Sequence, residues 1–345
     1  MNYFQKKDDD HVFIDLSQKY EDQDDVDSYG APIRINKNFT IPIIDRPSDY
    51  HMIIERFFVP SYSTPAYIFD PDLPGVVNLT YNGITEKQPL INTFVLPKNS
   101  LGFQNFLYLV QDWIVLVNTA YETCLNTLKA SAGAPAAATA PYFKLNPTTG
   151  LISLYAEEAY YDQNIALPIQ VGADIIVQKQ IMFLKADFTL TQSYVYSLNK
   201  YPHTFEIESI GGVNYIVQTQ EGTSSFAFNP IQKILILSNT IPVRAQFTQL
   251  NSSSTDEQSG TNSLNILQDF KVNSENAIGE TRKGITYVPN KRIPLDLVNE
   301  TPLKQMDLAV YFTDVNNNLY PITLLRGEQF DIKISFSRIG SMPSN

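Results

Sequence analysis

The sequence FDIKISFS, residues 330–337, alternates apolar and polar side chains along its whole length. Successive side chains of a β-strand point to opposite faces of a sheet, so the two phenylalanines and two isoleucines share one face. The aspartate, the lysine and the two serines occupy the other. The segment therefore predicts a core strand with one buried face and one face toward solvent.

Further segments with β-prone composition lie on both sides of a single helical region. The predicted strands are residues 39–44, 51–59, 75–80, 91–96, 142–145, 151–155, 174–177, 181–184, 205–207, 214–218, 231–237, 244–249, 285–288, 306–313 and 330–337. The pair Asn82-Gly83 favours a tight hairpin turn, because both central positions of that turn need positive φ. Asn146–Gly150 supplies turn formers between two apolar runs. The chain is therefore predicted to be mainly β, with antiparallel sheets, long loops and no internal repeat.

One amphipathic helix is predicted at about residues 103–128. Apolar side chains recur there at spacings of three and four, while polar side chains fall on the opposite side. Ser100 is a plausible N-cap, and Ala132–Pro135 marks the end. Val110 and Ile114 are expected on the buried face. The helix and the Ala/Pro-rich segment after it form an excursion from the β pattern at about 100–141.

Residues 1–28 carry nine acidic side chains against three lysines. Such a density of like charge resists collapse, so we expect a flexible acidic arm. The short apolar island Val12–Ile14 is either an anchor for a neighbouring subunit or part of a solvated tail. The remaining residues, 29–345, are expected to form one capsid-type domain.

Charge and composition exclude several classes of protein. The chain has 25 Lys and Arg against 36 Asp and Glu, a net charge of −11, so general nucleic-acid binding is not expected. No apolar run reaches the roughly 20 residues of a membrane span. A single cysteine and three scattered histidines leave no structural zinc site and no internal disulfide. Charged residues are only 18% of the chain, which is typical of a subunit with large contacts.

No catalytic, cofactor-binding or metal-binding residue is predicted. The phosphate-loop, dinucleotide, zincin and nucleophile-elbow motifs are all missing from the sequence. His203 could act as a general base, but no motif places a partner beside it, and an ordinary loop histidine is favoured. Cys124 and Trp113 are expected to pack in the core rather than to react or stack on a ligand. The acidic run at 21–30 departs from the EF-hand calcium pattern at Val26 and Asp27.

The C-terminal third resembles a known family. The segments ITYVP (285–289), IPLDL (293–297), MDLAVYFTD (306–314) and LRGEQFDIKI (325–334) resemble the closing strands of the jelly-roll minor (penton) capsid proteins of virophages and Polinton-like viruses. Weaker similarity lies at Pro147–Gly150 and 229–234. The resemblance implies an antiparallel jelly-roll β-sandwich in a virion protein that has no active site.

The resemblance also implies partners and a location. We expect a minor capsid or penton subunit, assembled in the host cell, that forms icosahedral vertices by contacts with itself, as a homopentamer, and with a major capsid protein. Three alternatives remain open: a major capsid protein, a receptor- or glycan-binding β-sandwich of a spike or adhesin, and a glycoside hydrolase on a β-sandwich. The hydrolase would need two carboxylates about 5–10 Å apart, which no motif nominates.

Overall fold

A computed structural model describes the greater part of the chain. The described residues are 4–8, 11–20, 30–70, 72–93, 106–157, 160, 169–181, 193–196, 205–220, 222–243, 265–272, 284–288 and 292–340. Within these ranges the strands are β1 (Phe4–Asp8), β2 (His11–Lys19), β3 (Gly30–Pro32), β4 (Arg34–Asn38), β5 (Tyr50–Val59), β6 (Tyr67–Ile68), β7 (Val76–Tyr81), β8 (Ile84–Pro89), β9 (Phe106–Leu107), β10 (Tyr142–Leu145), β11 (Ile152–Glu157), β12 (Gln170–Asp174), β13 (Ser193–Tyr196), β14 (Phe205–Ile210), β15 (Val213–Thr219), β16 (Lys233–Leu237), β17 (Ile266–Lys271), β18 (Ile285–Tyr287), β19 (Leu295–Asp296), β20 (Gln305–Thr313), β21 (Leu319–Pro321), β22 (Thr323–Leu325) and β23 (Gln329–Arg338). The α-helices of the described residues are α1 (Val110–Ser131) and α2 (Ile175–Ile181).

Two antiparallel sheets form a sandwich from strands at both ends of the chain. The first sheet has the order β1-β2-β23-β5-β18, with β19 also paired to β5. The second has the order β17-β16-β20, with β4 and β21 both paired to β20. The chain passes between the sheets in the order expected of two interlocked Greek keys, which is the jelly-roll arrangement. The predicted mainly β, antiparallel jelly-roll fold is confirmed.

The strand β23 lies at the centre of the first sheet, as its alternation predicts. Its four apolar side chains are buried, and Phe330, Ile334 and Phe336 have no exposed surface. They belong to a core cluster that also contains Met52 and Phe57 of β5 and the apolar face of β20. Burial on one face of adjacent strands fixes the register, because a slip by one residue would turn the apolar set outward.

Residues 11–19 differ from the flexible arm expected over 1–28. They form β2, which pairs with β23 over nine consecutive positions, from His11 opposite Ser337 to Lys19 opposite Gln329. Val12, Ile14 and Leu16 are buried in the sandwich core. The apolar island therefore pairs with the chain's own C-terminal strand. Its period-2 alternation continues to Leu16, so β2 has an apolar face that lies beside the apolar face of β23.

A second core lies between β5 and β16 in the sequence. It joins the buried face of α1 to apolar side chains of β7, β11 and β12, and it includes residues from Phe69 to Phe228. Two further antiparallel sheets surround this core, with the orders β10-β11-β15-β14 and β13-β12-β7-β8. The second core thus extends well beyond the excursion expected at 100–141. We call residues 60–230 the inserted region.

The helix α1 is shifted relative to the prediction of 103–128. It begins at Val110 after an extended Leu109, and residues 94–105, with the suggested N-cap Ser100, lie outside the described part. Phe106 and Leu107 instead form the short strand β9, which places Phe106 in the sandwich core and Leu107 in the second core. The expected buried face is observed, since Ile114 is buried and Val110 packs half-buried against the second core.

Local turn chemistry explains where the other predictions succeed or fail. Asn82 and Gly83 have positive φ and join β7 to β8, as predicted. The strand predicted at 174–177 is wrong, because the Asp174 carboxylate accepts the Val177 N–H and begins α2. Residues 39–44 hold only one bridge, between Ile44 and Leu303, rather than a strand.

Candidate functional site

Two of the residues that the sequence offered for chemistry, Cys124 and Trp113, pack in the core of the structure. Cys124 is buried against β7 and β8, and burial raises the pKa of its thiol to about 12, so it stays protonated. A thiol in that state is a poor nucleophile. Trp113 has no exposed surface and packs edge-on against Phe228 at 5.4 Å between ring centroids. Both therefore serve the second core, as predicted.

Two other candidates lie outside the described residues. They are His203 and residues 21–29 of the acidic run at 21–30. Gly30, the last residue of that run, is described at the start of β3. Across the described ranges, no group of three or more His, Cys, Asp or Glu side chains is close enough to hold a metal ion. None of the described helices combines the length and apolar character that a membrane crossing would require.

The outer face of the first sandwich sheet carries a network of charged side chains. Asp15 of β2 lies 3.9 Å from Arg56 of β5 and 4.0 Å from Lys333 of β23. Glu55 accepts a hydrogen bond of 2.6 Å from Ser335 and forms an ion pair of 3.1 Å with Arg292. These contacts join three neighbouring strands on the side away from the core. We call the surface formed by these side chains the polar sheet face; its members are Asp15, Glu55, Arg56, Arg292, Lys333 and Ser335.

Four polar residues form a row across the same face. His11, Ser337, His51 and Asp296 stand opposite one another on β2, β23, β5 and β19. Nδ1 of His11 lies 3.0 Å from Oγ of Ser337, and Nδ1 of His51 lies 2.7 Å from Oδ1 of Asp296. Two of the three histidines of the chain, His11 and His51, therefore lie on either side of Ser337. The row fastens β2 and β19 to the centre of the sheet.

Sequence reasoning missed this face because its members are far apart in the chain. His11 and Ser337 are 326 residues apart, and neither belongs to a catalytic or ligand-binding motif. The signal that could have located the face is the alternation in β2, where His11, Phe13 and Asp15 oppose the buried apolar set. Strand pairing then brings that face beside the polar face of FDIKISFS.

A half-buried carboxylate holds the loop that follows β16 in the second sandwich sheet. Asp307 of β20 accepts hydrogen bonds from the hydroxyls of Ser238 at 2.8 Å and Thr240 at 2.6 Å. It also accepts the N–H groups of Asn239 and Thr240, and its own N–H donates to the Thr240 hydroxyl at 2.8 Å. Burial opposes ionisation, but these hydrogen bonds outweigh it and lower the pKa of Asp307. The carboxylate therefore fixes the loop after β16.

A second carboxylate joins the sandwich to the start of the inserted region. Glu328, in the turn before β23, accepts the Ser63 hydroxyl and the Tyr62 N–H. Burial raises the pKa of Glu328. Burial also raises the pKa of Tyr108, and the negative charge of Glu328 raises it further. The backbone of Glu328 accepts the Tyr20 N–H at 3.1 Å. One turn thus holds the end of β2 and the entry to the inserted region together.

Comparisons with known proteins agree with this arrangement of strands. A model of the Sputnik minor capsid protein V18/19 family matches residues 76–338. Structural protein V19 of Sputnik virophage is 24% identical over 204 residues, which cover 56% of this chain and 92% of that protein.

Two solved structures share the fold. A chain of the Sputnik virophage cryo-EM structure aligns with a TM-score of 0.71 and 21% identity, covering 95% of this chain and 98% of that one. The mavirus penton protein aligns with a TM-score of 0.62 and 16% identity, covering 95% and 99%. The family match confirms the resemblance that the C-terminal third carries. The chain belongs to the Sputnik minor capsid protein V18/19 family and is a structural, non-enzymatic protein of the virion.

Proposed function

We propose that this protein is the vertex subunit of its capsid, that five copies form a ring, and that the ring contacts a major capsid protein. The observation that carries the proposal is the sandwich itself, which is completed within one chain by β2 and β23. The sandwich has no need of a strand from a neighbour, so the protomer can exist before assembly. Repeating one contact around a symmetry axis then closes a ring.

The polar sheet face supports a lateral contact between such protomers. Arg56 and Arg292 keep 65% and 66% of their side chains exposed, while Glu55, the ion-pair partner of Arg292, keeps 13%. Exposed arginines over a satisfied polar layer are well suited to subunit contacts, where arginine is enriched. The inserted region leaves the sandwich after β5 and returns before β16.

The mass of the purified full-length protein tests the ring. A ring of five 39.0 kDa protomers should have a mass of about 195 kDa by native mass spectrometry. Negative-stain images should show five-fold rings. A stable trimer or a monomer at every concentration would contradict the pentamer and favour a spike or adhesin.

The position in the particle tests the vertex against the shell. Cryo-EM of the virion should place this fold around the five-fold axes, with major capsid protein on its outer side. Density for this chain at the six-coordinated positions would instead identify it as the major capsid protein.

We also infer that the inserted region folds as a unit around its own core. The two large clusters of buried side chains share no residue, and β9 carries one residue into each. Limited proteolysis should cut near residues 60 and 230 before it cuts within either core. Equal cleavage throughout the inserted region would contradict a separate unit.

A further inference from the structure

The sheet β10-β11-β15-β14 has an outer face built from tyrosine and glutamate. Register places Tyr142 opposite Tyr155, Tyr155 opposite Val217, and Glu208 opposite Tyr215. The residues between them, such as Phe143, Leu154 and Ile216, point into the second core. We call Tyr142, Tyr155, Tyr215, Glu206 and Glu208 the tyrosine face.

The three tyrosines form one aromatic cluster. The rings of Tyr142 and Tyr155 stack at 4.9 Å with an angle of 6° between their planes. Tyr215 meets Tyr142 edge-on at 5.8 Å and Tyr155 at 6.4 Å. Tyr155 at the centre is 8% exposed, while Tyr142 and Tyr215 are half-buried. The cluster is therefore a packed patch with a shielded centre, which is the usual anatomy of a binding surface.

Carboxylates flank this patch on its β14 side. Glu206 and Glu208 alternate along β14 and are both exposed. Glu208 forms a hydrogen bond with Tyr155, and its charge adds to the burial that raises the pKa of Tyr142 and Tyr155. The third acidic residue of the sheet, Glu157, accepts the N–H of Thr139. Lys144 is the single basic residue in these four strands, so acidic charge exceeds basic charge across the sheet.

We propose that the tyrosine face binds an arginine-bearing basic segment of another protein. Guanidinium groups pair bidentately with carboxylates such as Glu208 and stack on aromatic rings such as Tyr215. Nucleic acid and anionic membranes carry the same sign of charge as the face and would be repelled.

Fluorescence anisotropy with a labelled hexa-arginine peptide tests the proposal on the full-length protein. The variant Glu206→Gln/Glu208→Gln keeps the shape of both side chains and should bind the peptide about tenfold more weakly, because a neutral amide cannot form the charge-assisted hydrogen bonds that a carboxylate forms with guanidinium. The control Asp72→Asn/Glu122→Gln also removes two exposed carboxylates but lies outside the face. It should bind like the wild type. Circular dichroism checks that all three proteins are folded.

A third variant separates aromatic contact from charge. Tyr215→Ser removes a half-buried ring without changing the charge, and we expect a severalfold loss of peptide affinity. Hexalysine should bind more weakly than hexa-arginine, because lysine lacks the planar fork. The proposal is overturned if the wild type does not bind hexa-arginine, if both double variants weaken binding equally, or if a neutral oligosaccharide binds and competes with the peptide.

Discussion

The sandwich and the inserted region differ in how far apart their partners lie in the chain. In the sandwich, β2 must find β23 across more than 300 residues. In the inserted region, β7 turns directly into β8 and β10 into β11, and Tyr121 of α1 donates to Gly172 O only 51 residues away. Local contacts form at lower entropic cost, so we expect the inserted region to order before the sandwich closes.

Substitutions in the two cores should therefore have different effects. A lesion in the sandwich affects strands from both termini, whereas a lesion in the inserted region is confined to residues between β5 and β16.

The largest effect is expected from Ile332→Asp in the central strand. Ile332 is 2% exposed and pairs with β2 on one side and β5 on the other, so the new carboxylate would be buried without a partner. An uncompensated buried charge costs about 3–5 kcal/mol, a large part of ordinary stability. We expect loss of the folded sandwich and of every oligomer, measured by circular dichroism and native mass. The control Gln329→Asp lies exposed at the end of the same strand and should remain folded.

A slightly smaller effect is expected from Ile14→Asp in β2. Ile14 is 2% exposed within the sandwich core, opposite Ile334. A flexible arm would tolerate the change, whereas a core strand would lose several kcal/mol of stability. Urea unfolding followed by circular dichroism measures the loss. Lys19→Asp introduces the same residue at an exposed position of β2 and should change stability by less than about 1 kcal/mol. Equal stability of the two variants would show that β2 is dispensable for the fold.

Ile114→Asp tests whether the two cores unfold separately. Ile114 is 5% exposed on the buried face of α1, and its neighbour Val115 is 48% exposed. The buried charge should destabilise the inserted region and leave the sandwich transition in place, so calorimetry should show one shifted and one unshifted peak. Val115→Asp is the matched control and should shift neither. A single peak that moves as a whole would show that the cores unfold together.

The same contrast explains what the sequence could predict. The alternation in FDIKISFS, the Asn82-Gly83 turn and the face of α1 are local patterns, and each was confirmed. The strand β2 was missed because its neighbouring acidic residues dominated the composition of 1–28. Its burial depends on β23, which lies at the other end of the chain.

The polar surfaces were beyond local patterns altogether. Glu328 contacts Ser63, and the histidine row joins residues from four strands, so only tertiary structure brings them together. The start of α2 did carry a local signal, because aspartate is a preferred N-cap. At Asp174 this signal competed with the β-branched residues that follow, which also favour a strand.

The smallest effect is expected from Asp307→Asn, which tests the loop end of the sandwich. The amide keeps one acceptor oxygen but turns an NH₂ group toward the Asn239 N–H, which now donates to Oδ2 at 3.1 Å. We expect a loss of about 1–2 kcal/mol at neutral pH, typical of a disrupted hydrogen bond to a charged group.

Because the fold lowers the pKa of Asp307 below its ordinary value of 3.8, the carboxylate stabilises the fold fully above that value. The contribution disappears as the pH falls through the lowered pKa. Burial raises the pKa of Glu328 and Asp174, so their ionisation changes stability in the opposite direction. The difference between wild type and variant removes these shared contributions. Urea unfolding from pH 7 to pH 2 should give a constant difference above about pH 4 that shrinks below it. A difference that is independent of pH would show that the loss comes from shape rather than from the Asp307 charge.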